Sequence, residues 1–144
     1  MSTGPESTTP RADPSSPQPP VLLTIPADKD FVVLVRSAVG HLGARIGLTM
    51  EELGDLRLAV SEACALLLLP DEIDATGATL DCRFSEADGS LHVTVAADAA
   101  REAVPQLDGF GWNLLSALVD DLRWSNDDGR AEVSLLKRPS ARGR

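Results

Sequence analysis

Two Asp-Gly pairs do most to limit how this chain can fold. Leu80, Cys82 and Phe84 alternate with Asp81, Arg83 and Ser85 ahead of Asp88-Gly89, and Leu91, Val93 and Val95 alternate with His92 and Thr94 behind it. A period of two on both sides of Asp-Gly predicts an antiparallel hairpin, because these two residues tolerate the left-handed backbone that a tight turn demands. LRWSN and AEVSLLK around Asp127-Asp128-Gly129 predict a second hairpin in the same way. The earlier VLLTIPA (21–27), closed by Pro26, reads as a strand at a sheet edge.

Helical spacing accounts for the rest. Phe31, Val35, Ala38, Leu42 and Ile46 recur at steps of three and four, with Asp28 or Asp30 available as a cap. Thr49 and Glu52 form a T-x-x-E capping box that starts a second helix at Thr49. Leu53, Leu56, Val60, Ala63 or Cys64, and Leu67 give that helix a core face, and Pro70 stops it. WNLLSALVDDL reads as a third helix. Residues 98–109 carry Pro105, Asp108 and Gly109 without periodicity, and a loop of that length in a small domain is functional or mobile. The expected order is β-α-α-β-β-loop-α-β-β, an α+β two-layer sandwich with no internal repeat.

The 144 residues suit one domain. Residues 1–20 are rich in Pro, Ser and Thr and are expected to be a disordered tail. Residues 21–137 form the folded domain in this reading, and 138–144 a basic flexible tail. With no Tyr and only Phe31, Phe84, Phe110, Trp112 and Trp124 as aromatics, the core must come from Leu, Val and Ala. No apolar run is long enough to span a membrane and no basic-then-apolar start marks a signal peptide, so the expected location is the cytoplasm.

Charge narrows the partners. The formal net charge is −9. Residues 1–20 contribute −1 and residues 137–144 contribute +4, which leaves −12 for residues 21–136. A surface this acidic repels phosphate backbones, excludes direct nucleic-acid binding by the core, and favours a basic protein. Cys64 and Cys82 make neither a disulfide framework nor a metal cluster, and both read as buried small hydrophobes.

Few residues carry chemistry. Glu62, followed by ALLLLP and with Leu58, Leu66 and Leu69 on or near its face, is a carboxylate in apolar surroundings. Such a group is expected to have a raised pKa and can act as a base; a rim or partner-surface role is the plainer alternative. Asp98 opens the long loop, where an acid can hydrogen-bond a ligand or simply be solvated. Gly109-Phe110-Gly111 before the third helix lets a phosphate approach backbone N–H groups, although a lone G-x-G equally suits a flexible helix start. His41 and His92 are isolated, so no metal site is expected, and Ser61 has no activating base. Arg36 departs from the apolar face of the first helix and is expected to point to solvent.

The combination is more specific than its parts. TMEELGDLRLAVSEACALLLLP, a hairpin ending in Asp98, and DGFGWNLLSALVDDL together resemble the RsbW-type anti-sigma factor and serine-protein kinase family of the GHKL ATPase superfamily. The resemblance spans residues 21–137 and implies the GHKL sandwich, with ATP and Mg²⁺ as the cofactor. It implies a catalytic base at Glu62 and an Mg²⁺-binding Asn where this chain has Leu66. It implies a D-x-G box at Asp98-Ala99-Ala100, in which Asp98 is kept and Ala100 replaces Gly. It also implies a G-x-G-[LMF] box at Gly109, Gly111 and Trp112. Leu66 offers no oxygen to a hard cation, and Ala100 is disfavoured where φ must be positive. The nucleotide boxes are therefore degenerate, as in the actinobacterial anti-sigma-F-like branch, and weak or lost ATP binding is expected.

The partners implied are an alternative sigma factor of the sigma-F or sigma-B type, kept from RNA polymerase, and an anti-anti-sigma (STAS) protein that releases it. A homodimer is implied as well, with Arg36 matching a sigma-contacting position on the first helix. The alternative is an active serine kinase that phosphorylates the anti-anti-sigma protein with Mg-ATP.

Overall fold

The computed structural model describes residues 18–68, 77–98 and 109–140. Both Asp-Gly pairs turn the chain as expected. Asp88 and Gly89 have φ of 53° and 76°, and Asp128 and Gly129 have 55° and 80°. Two successive positive φ values make the tight turn whose twist matches that of the flanking strands. Strands β2 (Thr79–Ala87) and β3 (Ser90–Asp98) run up to the first turn, and β4 (Asp121–Asp127) and β5 (Arg130–Lys137) up to the second. Asp127, expected in the turn, is the last residue of β4.

Strand β1 (Val21–Pro26) pairs antiparallel with β2 at one edge of a five-stranded sheet of order β1-β2-β3-β5-β4. The second hairpin enters through β5, whose pairing with β3 sets Val95 opposite Val133 and Asp98 opposite Arg130. All four pairings are antiparallel.

Helices α1 (Val32–Arg45), α2 (Met50–Leu68) and α3 (Phe110–Leu118) cover one face of the sheet. α2 lies in the middle, against β3 and β5, with α1 and α3 beside it. Its start is the expected capping box: Glu52 N–H donates to Thr49 Oγ1 at 3.1 Å, and Thr49 N–H donates to Glu52 Oε1 at 2.8 Å. Its expected core face is buried, with both Ala63 and Cys64 inside. Asp28 caps a single 3-10 turn (Lys29–Phe31) ahead of α1 by accepting from Asp30 N–H. Glycine permits the close approach of α1 to α2. A Cβ on Gly43 would lie 2.6 Å from Leu53 Cδ2 and 2.9 Å from Leu48 Cδ1.

The third helix is shorter than its sequence suggests. It ends at Leu118, and Val119 is extended at φ −128°, ψ 167°. Asp120 N–H then donates to Leu136 O, which draws the VDD segment into the sheet. Lys137, counted above with the basic C-terminal residues, is a buried residue of β5. Its Nζ donates to Leu118 O at 2.8 Å and so satisfies a carbonyl at the end of α3. Beyond the sheet, Arg138 N–H donates to Asp120 Oδ2 and Ser140 N–H to Glu52 Oε2, so the C-terminal segment is held as far as Ser140.

Candidate functional site

Glu62 lies in the second half of α2 and is half-buried. The beginning of α3 packs against it. A Cβ built on Gly111 would lie 3.3 Å from Glu62 Oε1 and 3.8 Å from Leu66 Cδ2. Gly111 thus lets the helix start approach the carboxylate more closely than a side chain would comfortably permit. Gly109 is the N-cap of α3 with an extended backbone, and Asn113 N–H donates to its carbonyl at 3.1 Å. Trp112 fills the apolar slot after the two glycines and packs on the core, whereas Phe110 is 80% exposed. Glu62 and Leu66 of α2 therefore meet Gly111 of α3, although they lie far apart from it in sequence, with Gly109 two residues ahead as the helix N-cap.

Asp98 does not join them. Core-facing residues of β3 are Leu91, Val93, Val95 and Ala97, and Asp98 falls on the opposite parity. Its carboxylate lies on the uncovered face, where it accepts from Arg130 Nη1 at 3.0 Å. Arg130 also donates to Asp81 on β2, and Thr24 Oγ1 on β1 donates to the same carboxylate. Four strands are thereby linked across the open sheet face. The Arg130 guanidinium, with a smaller contribution from Thr24, holds the Asp81 carboxyl below its ordinary value, and the two carboxylates hold Arg130 protonated. This network borders an open depression of about 580 Å³ lined by Thr24, Arg83, Thr94, Glu132 and their neighbours. Ala100 and Leu69 lie outside the described residues.

Arg36 requires a correction. It was expected to point to solvent, yet it is half-buried and its Nη1 donates to Ser61 Oγ on α2 at 3.2 Å. The cause is its place on α1: Arg36 shares a helix face with Val32, Val39 and Gly43, all buried. Ser61, set aside above for want of a base, is thus the acceptor that orients Arg36. Arg130 was not singled out either, and its only advance signal is its place at the start of the last strand. His41 and His92 are exposed, and among the described residues no group of three His, Cys, Asp or Glu could hold a metal ion.

Residues 25–137 match the histidine kinase-like ATPase domain family. The chain is an RsbW-type member of that family. It is 28% identical over 125 aligned positions to the serine-protein kinase RsbW of Halalkalibacterium halodurans, covering 74% of this chain and 76% of the relative. It is 33% identical over 117 positions to the anti-sigma-F factor RsbW of Mycobacterium tuberculosis, covering 79% of this chain and 66% of that protein. A solved structure of RsbU and RsbW domains from Mycobacterium tuberculosis shares the fold. Its TM-score is 0.69 at 22% identity, over 90% of this chain and 35% of that one.

Against the nucleotide site implied by the RsbW-type resemblance, the residues present do not fit Mg-ATP. Leu66 puts a methyl group, not an amide oxygen, beside Gly111. Asp98 is engaged by Arg130 on the far side of the sheet from Glu62. What remains is a carboxylate set against a glycine-rich helix start.

Proposed function

We propose that this RsbW-type domain is an anti-sigma factor that binds an alternative sigma factor and keeps it from RNA polymerase, with ATP binding and kinase activity weak or lost. The observation that carries the reading is Leu66, which faces Gly111 where the resemblance implies a Mg²⁺-binding Asn. Phosphoryl transfer without that ligand loses a main means of neutralising phosphate charge, whereas protein binding does not require it. The Mycobacterium tuberculosis relative, named an anti-sigma-F factor, supports the binding role. So does the acidic balance of residues 21–136, since a sigma factor's DNA-contacting surfaces are basic.

In this reading an anti-anti-sigma STAS protein competes for the domain, which works in the cytoplasm as a homodimer. Among the described residues no helix is long and apolar enough to cross a membrane. Arg36 remains the sigma-contacting candidate, now as a residue held from behind by Ser61.

Calorimetry with ATP and Mg²⁺, run beside co-purification with candidate sigma factors, tests the reading. Sigma capture with a flat nucleotide titration is expected. One observation favours the second reading, an active serine kinase: Glu62 and the G-x-G segment do come together. The relatives named serine-protein kinase belong with it. Tight Mg²⁺-dependent ATP binding and phosphoserine on the STAS protein would establish that alternative.

A further inference from the structure

α1 contains no Asp or Glu, although the chain carries 22 acids against 13 bases. It runs antiparallel to α2, and three contacts mark the seam between them. Gly43 lies against Leu53, Gly40 against Arg57, and Arg36 against Ser61. Each helix thus sends an arginine to the other. Arg36 reaches from α1 to the Ser61 hydroxyl, and Arg57 reaches from α2 to Gly40, one turn along α1 from Arg36. A Cβ on Gly40 would lie 2.5 Å from Arg57 Nη2, 3.0 Å from its Nε and 3.1 Å from its Cζ, so the guanidinium rests on bare backbone.

Among the described residues neither of these guanidiniums is paired with a carboxylate, whereas Arg45, the other arginine of α1, has Glu86 at 3.4 Å. The acids of α2 are turned elsewhere. Glu52 is bonded to Thr49 and Ser140, Asp55 lies 3.9 Å from Lys137, and Glu62 faces Gly111. Glu51 stands about 9 Å along the helix axis from Arg57. The seam is therefore a basic stripe on an acidic domain. Exposed Val33 and Leu58 flank it, three residues before Arg36 and Ser61 respectively. At Gly54, one turn before Arg57, an added Cβ would meet nothing within 4 Å, so the approach to Arg57 is open.

We propose that Arg57 is a second partner-contacting residue, that it and Arg36 together dock an acidic segment of the sigma factor, and that Gly40 positions Arg57 for the contact. The site rests on the anti-sigma function proposed above and adds to it a residue on α2 and the chemistry that meets it. An unpaired guanidinium offers a planar fork that makes two parallel hydrogen bonds to a carboxylate. Two such forks about a helical turn apart match carboxylates spaced one turn apart on a partner helix, with Val33 and Leu58 covering its apolar flank. The negative charge of the whole domain draws a basic partner from a distance, and the stripe demands acid at one place. Together they fix the orientation of docking and repel a partner that presents a basic group there.

The test uses the full chain and a purified sigma-F-type sigma factor, with affinity read by calorimetry and folding by the urea midpoint. Arg57→Gln is expected to weaken binding about tenfold or more at an unchanged midpoint. Gly40→Ala keeps the charge but pushes the guanidinium off its seat, so it too is expected to weaken binding. The added methyl meets only the far end of a flexible side chain, so the midpoint holds. Arg57→Lys is expected to retain part of the affinity, since an ammonium lacks the fork. A scan of the sigma factor's Asp and Glu to Asn and Gln is expected to find at least one position whose loss is not additive with Arg57→Gln. If Arg57→Gln lowers the midpoint, Arg57→Lys and the scan still decide. Wild-type affinity in Arg57→Gln or Gly40→Ala, or additive losses throughout the scan, would overturn the proposal while leaving sigma binding intact. A wild-type chain that binds no sigma factor would overturn the anti-sigma function itself, and this site with it.

Discussion

At the scale of single residues, Leu66 and Arg36 hold the two consequential positions. Leu66→Asn restores the amide that the resemblance implies, but Asp98 is still on the other side of the sheet and engaged by Arg130. The variant is therefore expected to leave a Mg-ATP calorimetric titration flat. Measurable heat would locate the whole deficit in Leu66. For Arg36, the half-buried hydrogen bond to Ser61 makes truncation dearer than at an ordinary surface arginine. Arg36→Ala is expected to cost about 0.5–1.5 kcal/mol by denaturant midpoint, and Ser61→Ala, which leaves the guanidinium in place, a similar amount or less. If Arg36 contacts the sigma factor, only the first variant loses most of the co-purified sigma factor; equal losses would mean that α1–α2 packing matters rather than contact. Arg36 also shows what a helix pattern leaves open. Its departure from the apolar set was visible in the sequence, but which side α2 would occupy was not, because that depends on packing between elements.

At the scale of elements, the start of α2 is the most heavily determined feature. Glu52 accepts from Thr49 at one carboxylate oxygen and from Ser140 at the other. These bonds, Thr49 first, pull its carboxyl from 4.5 down to about 2. The charged form is favoured by folding, so the stabilisation is present above the ordinary carboxylate value and is lost as pH falls through the window from 4.5 to about 2. Glu52→Gln is expected to flatten that part of the stability profile, with wild type losing about 1 kcal/mol more than the variant between roughly pH 5 and 2 after allowance for solvent screening. A pair of urea titrations at those pH values measures it. Gly43 gives a second expectation. Gly43→Ala gains helix propensity of about 1 kcal/mol but drives a methyl group against Leu53 and Leu48, for a net loss of about 1–2 kcal/mol in thermal unfolding. The capping box and both Asp-Gly turns were legible because each acts within a few residues of itself. The end of α3 was not, since Val119 and Asp120 are claimed by Leu136 on a distant strand. The face of Asp98 follows from the alternation of Leu91, Val93 and Val95, but its partnership with Arg130 was hidden for the same reason as the end of α3, because a register between distant strands sets it.

At the scale of the whole molecule, charge and layering act together. Lys137 is built into the core side of β5, so it does not belong with Arg138, Arg142 and Arg144 as part of a basic tail. The remainder of the fold is acidic, and if the domain captures a basic sigma factor as proposed, long-range attraction steers the encounter. The association rate, followed by stopped flow, is expected to fall about tenfold or more between roughly 50 and 300 mM salt. A salt-insensitive rate would remove electrostatics from the recognition argument. The bond from Ser140 to Glu52 has one more implication. The chain leaves the domain not at the free rim of the sheet but strapped to the opening turn of its central helix. A pulling force or a fused cargo applied there would load α2 before it loaded any strand. A fluorophore attached just past Ser140 would therefore report the loosening of that turn ahead of the unravelling of the sheet.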